Sequence, residues 1–446
     1  MRVAVIGVGH VGLVTAACLA RWGHQVIGMD DDPDKIATLR SGGVPFHEPG
    51  LAELVNEGRS QGRLRFTDDV DDALADVAVA FVCVGTPSLP GGAPNLSFVE
   101  RVGQAAANHA TGDLVLVEKS TVPANTGVRL TQVIVREQAR NGSSVSIDVA
   151  SNPEFLREGQ AVHDTLHPDR VVVGTDSERA AAALRDVYAP LLERHDCPYL
   201  RTDLVTAELI KHASNAFLAT RISFINAIAR ICDQVGADVA VVAEGMGHDH
   251  RIGAHFLRAG LGYGGSCFPK DVDAFIHLSR SLGYDFRLLE EVRRVNDAMR
   301  EHILEILRAE LWHLEGKTVT LLGAAFKPGT DDLRNAPALW LAERLLAEGS
   351  HVRVYDPVAL VHLKTCLPDV ECVDDPLAAC RDAHAAVVCT EWDQVTALRG
   401  QQLAAALAYP IVIDGRNVFD PETMRAAGVH YHAIGRPATK ATLRRP

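Results

Sequence analysis

MRVAVIGVGHVG, residues 1–12, is the stretch on which the fold turns. Val3 to Ile6 is a short apolar run that reads as a buried strand. Gly7-Val8-Gly9-His10-Val11-Gly12 follows it directly, and LVTAACLARWG then repeats apolar residues at helical spacing. A second strand-like run ends at Asp30, 18 residues after Gly12. Strand, glycine turn, helix and strand-end acid in this order predict a dinucleotide site. The glycines let the backbone turn and approach a pyrophosphate, whose charge the helix N-terminus meets. Asp30 accepts from ribose hydroxyls and repels a 2'-phosphate, with Asp31 and Asp32 beside it, so NAD is expected rather than NADP. Lys35, one turn into the next helix, is within reach of the adenosine end, although a solvated surface charge is the commoner role for such a lysine.

Outward from this unit, strand-like runs alternate with helical patterns: Val77 to Val84, Leu114 to Ser120, Val149 to Ser151 and Arg170 to Gly174. That alternation predicts a doubly wound, mostly parallel sheet. Ligands on such sheets sit beyond the carboxyl ends of the strands, which adds Gly85, Thr86 and Pro87 after one strand and Ser120 and Thr121 after the next. Near residue 204 the pattern changes. LVTAELIKHASNAFLATRISFINAIARICDQV contains no Pro or Gly and predicts one long helix, of a kind that commonly spans domains or builds a dimer interface. After Gly316 the alternation returns at Thr318 to Leu322, His351 to Tyr355, Ala385 to Thr390 and Ile411 to Asp414, and VTLLG with GSHVRVYDP echoes VAVIG with GHQVIGMDDDP. The expected fold is α/β: two Rossmann-like, doubly wound parallel-sheet domains, 1–203 and 301–446, joined by a long central helix and an all-helical connector over 204–300. The second lobe has Gly323-Ala324-Ala325-Phe326 in place of the glycine fingerprint and inserts FKPGTDDLRN before its helix, so it is expected to bind something other than a dinucleotide.

The whole chain of 446 residues carries 44 Lys plus Arg against 57 Asp plus Glu, and no run of basic residues stands out beyond the short Arg444-Arg445 end, which argues against a nucleic-acid partner. An anionic substrate must then be held by a few placed cations and backbone amides. No apolar run reaches membrane-spanning length, and the N-terminal strand leaves no room for a signal peptide. Nine cysteines without a C-x-x-C pair fit reduced cytoplasmic thiols, most of them packing residues. No metal is expected, since His248, His250 and His255 imply no ligand geometry.

One cysteine stands apart. In GYGGSCFPKD, 262–271, glycines precede Cys267, Pro269 suits the first turn of a helix, Lys270 lies close, and Asp271 falls four residues on, which is the same helix face. A thiol at a helix N-terminus beside a cation favours the thiolate, so Cys267 is the expected nucleophile.

At this point the chain resembles the UDP-glucose/GDP-mannose dehydrogenases along nearly its whole length. The resemblance rests on GVGHVG (7–12), EPGL (48–51), VGTP (84–87), STVP (120–123), NPEFLREG (152–159), AELIKHASNAFLATRISFIN (207–226), DHRIG (249–253), GYGGSCFPKD (262–271), FKPGTDDLR (326–334) and DGRN (414–417). It implies a four-electron oxidation of a sugar-nucleotide C6 alcohol to the acid, using two NAD and one water, with Cys267 forming a thiohemiacetal and then a thioester. It implies Lys211 as the cation at the C6 oxygen with Asn215 a turn later, Glu154 and Asp271 as alternative general bases acting through water, and Thr121 as a holder of that water. For the substrate it adds Phe155, Leu156, Arg157 and Glu158, then Arg251 across a dimer, Phe256, Leu257, Arg258, Leu261, Gly262, Tyr263 and Gly264, then Phe326, Lys327 and Arg416. For NAD it adds Glu158, Lys270 and Arg334. EPGL and DGRN lean toward UDP-glucose over GDP-mannose or a UDP-N-acetyl-hexosamine. A two-electron dehydrogenase of the same fold, with Cys267 idle, is the rival that NADH stoichiometry separates.

Overall fold

The computed structural model describes residues 1–194 and 196–436, so the Arg444-Arg445 end lies outside the described residues. The chain forms two compact units, Met1–Ser214 with Asp273–Gly283, and Asn215–Val272 with the chain from Tyr284 on.

The first unit is built on eight strands: β1 (Arg2–Ile6), β2 (Gln25–Met29), β3 (Leu64–Thr67), β4 (Val79–Val82), β5 (Leu114–Glu118), β6 (Ile147–Ser151), β7 (Val171–Gly174) and β8 (Tyr199–Thr202). They lie in the order β3-β2-β1-β4-β5-β6-β7-β8. All neighbours are parallel except β6 and β7, which meet antiparallel at Ser151 and Gly174. Side chains alternate between two apolar layers. Val3, Val5, Val79, Phe81, Val115 and Val117 pack on one face, and Ala4, Ile6, Ala80, Val82, Leu114 and Leu116 on the other. Helices cover both faces, which is why the central strands read as unbroken apolar runs. Strand order reverses between β1 and β4, and the turn after each opens at that reversal.

Among the described residues the second unit has six parallel strands, β9 (Thr318–Leu322), β10 (His351–Tyr355), β11 (Glu371–Cys372), β12 (Ala385–Val388), β13 (Ile411–Asp414) and β14 (His430–Ala433), ordered β11-β10-β9-β12-β13-β14. It repeats the doubly wound plan. Asp356 follows β10 as Asp30 follows β2, but it turns inward on its own loop: Oδ2 accepts from the Ala324 and Ala325 amides at 2.8 and 3.0 Å and from Trp392 Nε1 at 3.0 Å. An acid saturated by its own chain is not offered to a ribose.

The long helix runs Leu204–Val235, 32 residues, as its periodicity predicts. It is followed by helices Val239–Gly247, Phe268–Ser281 and Arg287–Leu311. Among the described residues no helix is long and apolar enough to cross a membrane.

Four strands do not stand out in the sequence: β3, β8, β11 and β14. All four are sheet edges. Their sequences LRFT, YLRT, EC and HYHA mix polar and apolar residues, because an edge strand is covered on fewer sides and needs no continuous apolar run.

Candidate active site

The glycine turn shows three different uses of glycine. Gly7 has φ +90°, and a Cβ there would lie 2.8 Å from the Cys83 carbonyl oxygen. At Gly12 a Cβ would meet the Gly7 carbonyl oxygen at 1.8 Å, so this glycine lets helix His10–Arg21 seat on β1. A Cβ at Gly9 would meet nothing within 4 Å. Packing inside the chain does not require that glycine, whereas close approach of a pyrophosphate does. Gly9 is also the N-cap of the helix, with no side-chain cap and no acid in the first turn, so the helix amides face a ligand's phosphates uncapped by any side chain. The residues present therefore fit NAD.

Asp30 is buried and held in place: Oδ2 accepts from the Val8 amide at 2.9 Å, and Oδ1 accepts from Lys35 Nζ at 2.8 Å and the Asp32 amide at 3.2 Å. Lys35 is thus a partner of Asp30. At the neighbouring strand ends, Thr86 Oγ1 donates to the Thr121 carbonyl at 3.0 Å, and Ser120 Oγ donates to the Val84 carbonyl at 2.7 Å. These bonds tie the turn at Gly85, Thr86 and Pro87 to the turn at Ser120 and Thr121.

His10 and Val11 begin the helix, and His10 points to a residue that the sequence offers only inside a motif. Its Nε2 is 2.7 Å from Glu48 Oε2, and its ring stacks on Phe46 at 4.3 Å. Glu48 is buried and also accepts from the Gly159 and Ala161 amides at 2.6 and 2.8 Å. One carboxylate thereby joins the glycine turn to the loop that carries Phe155, Leu156, Arg157 and Glu158. Within that loop Glu158 is buried, and Arg157 forks onto Asp164 with both bonds at 2.8 Å.

Glu154 and Lys211 form a buried ion pair at 2.9 Å, with side chains 6% and 4% exposed. The second Glu154 oxygen accepts from the Leu156 amide at 2.8 Å, and Lys211 Nζ stands 5.4 Å from the centre of the Phe155 ring. Removing two charges from water costs several kcal/mol per ion and is offset only by good geometry, so such a pair is by itself weak evidence of stabilisation. Asn215 is one turn further along the same helix, Leu204–Val235.

In the second unit, Asn215 Nδ2 donates to Asp271 Oδ2 at 2.6 Å, and Lys270 Nζ donates to Asp271 Oδ1 at 2.6 Å. Asp271 is 1% exposed. Its amide donates to the Cys267 carbonyl at 2.9 Å, which starts helix Phe268–Ser281 and leaves Cys267 immediately before its first residue. The Cys267 thiol is half-buried, with Sγ 3.4 Å from Ser266 Oγ. By contrast, burial pushes the thiols of Cys18, Cys83, Cys380 and Cys389 up to about 12, which makes them packing residues without a thiolate.

The loop before Cys267 is clamped by Asn296, which accepts from the Tyr263 amide at 2.8 Å and donates to the Tyr263 carbonyl at 3.1 Å. Gly262 has φ +95°, and a Cβ there would lie 2.5 Å from Asn296 Oδ1. Sequence reasoning does not reach Asn296. Its only signal is one amide among the apolar positions Val292, Met299 and Ile303 of helix Arg287–Leu311. Leu257, Leu261 and Tyr263 are buried, Arg258 is exposed, and a Cβ at Gly264 would lie 2.4 Å from the Asn335 carbonyl. Phe256 holds φ +61°, a conformation that bulky residues adopt only under constraint.

Two of the expected ligand-binding cations, Arg251 for the substrate and Arg334 for NAD, are engaged by local acids. Arg251 pairs with Asp249 at 2.6 Å and Arg334 with Asp332 at 2.7 Å. Arg416 instead donates to the Cys389 and Phe326 carbonyls at 2.7 and 2.9 Å, beside Glu391 at 3.5 Å. Lys327 Nζ stands 5.3 Å from the centre of the Phe326 ring. In the second unit, Lys327 and Arg334 follow β9 and Arg416 follows β13, whereas Arg251 lies on the loop after helix Val239–Gly247.

Three family models describe the chain in sequence: the UDP-glucose/GDP-mannose dehydrogenase family NAD binding domain over 1–192, its central domain over 205–298 and its UDP binding domain over 320–421. The chain belongs to the UDP-glucose/GDP-mannose dehydrogenase family. It is an NAD-dependent oxidoreductase. The UDP-glucose 6-dehydrogenase TuaD of Bacillus subtilis is 44% identical, over 99% of this chain and 94% of that protein. The UDP-glucose 6-dehydrogenase of Pseudomonas aeruginosa is 44% identical over 98% of both. A solved UDP-glucose dehydrogenase from Pyrobaculum islandicum superposes with a TM-score of 0.90 at 38% identity, covering 98% of each chain. This family member therefore has the two parallel-sheet lobes and the long central helix that its sequence predicts.

Proposed function

We propose that the protein oxidises UDP-glucose to UDP-glucuronate, in two hydride transfers to NAD, with Cys267 as the covalent nucleophile. NAD supplies the hydride acceptor in both oxidations. Lys211 stabilises negative charge on the C6 oxygen as the first hydride leaves, and a carboxylate, Glu154 or Asp271, takes the hydroxyl proton through a water held at Thr121. Cys267 then adds to the C6 aldehyde, giving a thiohemiacetal whose second hydride loss leaves a thioester, and water releases the acid and the thiol. Asn215 orients Asp271, while Lys270 supplies positive charge near the thiol. Arg251, Arg258, Lys327 and Arg416 supply cations for the diphosphate, exchanging a local acid for a phosphate where one is present.

The observation that carries this reading is the placement of Cys267: half-buried, before the first residue of a helix, at the end of a glycine loop clamped by Asn296. Wild-type protein is expected to form two NADH and one carboxylate per UDP-glucose. Cys267→Ser is expected to stall before the acid, with at most one NADH per substrate. Four-electron turnover by the variant overturns the assignment, and one NADH with a carbonyl product from the wild type overturns the reaction.

The three matched segments support functional divisions at 1–203, 204–300 and 301–446. We also infer a homodimer or higher homo-oligomer through the long helix. Phe217, Phe224 and Ile231, seven residues apart, are 63%, 50% and 58% exposed, and Val235 adds a fourth apolar side chain at 70%. Free thiols throughout support a cytoplasmic setting.

A further inference from the structure

The edge strand β14 reads HYHA, and a strand sends alternate side chains to opposite faces. Tyr431 is fully buried in the sheet core, which puts His430 and His432 together on the other face, their ring centres 4.7 Å apart. Glu310, near the end of helix Arg287–Leu311, reaches the same place. Its Oε2 is 2.8 Å from His430 Nδ1, and its Oε1 is 3.0 Å from His432 Nε2. The three side chains are only 22%, 14% and 20% exposed. One ligand atom from each lies within 4.8 Å of the others.

We propose that Glu310, His430 and His432 form a binding site for a borderline divalent transition ion, Zn²⁺ above all, separate from the dehydrogenase chemistry. Two imidazoles and one carboxylate are a donor set that zinc accepts with its fourth position left to water. Bonds of about 2.0–2.1 Å in a tetrahedron put ligand atoms about 3.3 Å apart. The 2.8 and 3.0 Å separations therefore need to open by only a few tenths of an ångström. The i, i+2 spacing on a strand preorganises both imidazoles, and the sheet behind Tyr431 holds that strand. The ion would fasten helix Arg287–Leu311 to the outermost strand of the second sheet, which among the described residues has no strand on its far side. Neither histidine lies in the 248–255 stretch, whose three histidines imply no ligand geometry in the sequence. The pair belongs to an edge strand that the sequence conceals.

The test uses the full-length protein, stripped with chelator and titrated with Co²⁺ as a spectroscopic probe and Zn²⁺ as competitor. The expected result is one Co²⁺ per chain, with weak visible d–d bands, no thiolate-to-metal band in the near ultraviolet, displacement by equimolar Zn²⁺ and a higher melting temperature. His432→Ala and Glu310→Gln are each expected to lower the affinity at least ten-fold, with NADH formation and far-ultraviolet circular dichroism retained. Uptake with a thiolate band, uptake unchanged in both variants, or no uptake at all overturns the site. The last outcome leaves a carboxylate that simply sits between two imidazoles.

Discussion

In the proposed reaction, Lys211 and Glu154 illustrate how a buried charge is committed to chemistry. The ammonium is paired in a site from which water is largely excluded, where a cation aimed at a developing alkoxide is worth far more than at the surface. Lys211→Met is expected to lower kcat by roughly 10²–10³ with a smaller change in KM, as for loss of one charge-stabilising group. Steady-state rates with saturating NAD check this. A second residue-scale expectation concerns Glu118 and Glu208, which converge at Gly127: a Cβ there would lie 3.0 Å from Glu118 Oε2 and 3.3 Å from Glu208 Oε1. Burial holds the Glu118 carboxyl well above its ordinary range and raises Glu208 from 4.5 to about 7. The folded state thus keeps protons that the unfolded chain releases, so the stabilisation is complete below about pH 4.5 and is lost as pH rises through 7. Glu118→Gln can donate to an ionised Glu208. Its melting temperature is expected to fall less than the wild type's between pH 5 and pH 8. An equal fall in both proteins counts against a shared proton.

At the scale of the element, the turn between β1 and helix His10–Arg21 separates folding from binding. Gly12→Ala puts a methyl group 1.8 Å from a backbone oxygen, and thermal melts are expected to show destabilisation by about 1–3 kcal/mol or more. Gly9→Ala meets nothing inside the chain, so it is expected to keep the melting temperature while weakening NAD at least ten-fold by calorimetry. Unchanged NAD affinity in Gly9→Ala would remove the argument that this glycine serves the pyrophosphate. Asn296→Ala frees both polar groups of Tyr263 and is expected to cost about 1–3 kcal/mol, seen as a raised KM for the sugar nucleotide ahead of any change in NAD binding.

On the scale of the whole molecule, the exposed apolar stripe on helix Leu204–Val235 is larger than isolated surface residues require. Phe217→Glu with Phe224→Glu is expected to reduce the mass measured by light scattering to that of one chain. An unchanged mass would place the interface elsewhere. The central strands were legible because burial on both faces demands unbroken apolar runs, and the long helix because 32 residues hold one period without Pro or Gly. The edge strands were not legible, and neither were Glu48 and Asn296, since each acts on backbone amides distant in sequence and leaves no local pattern.

By itself the sequence determined the strand-turn-helix of the NAD-binding domain and the two-lobed α/β plan, and it singled out Cys267 among nine thiols as the proposed nucleophile. Each of these is written in local spacing, which the backbone periods of helix and strand translate directly into geometry. Only the tertiary structure decided which polar groups meet: Glu154 with Lys211, Asn215 with Asp271, Glu48 with His10, and Glu310 with His430 and His432. The partners in those pairs stand 38 to 122 residues apart. Such contacts depend on how elements pack rather than on any period along the chain.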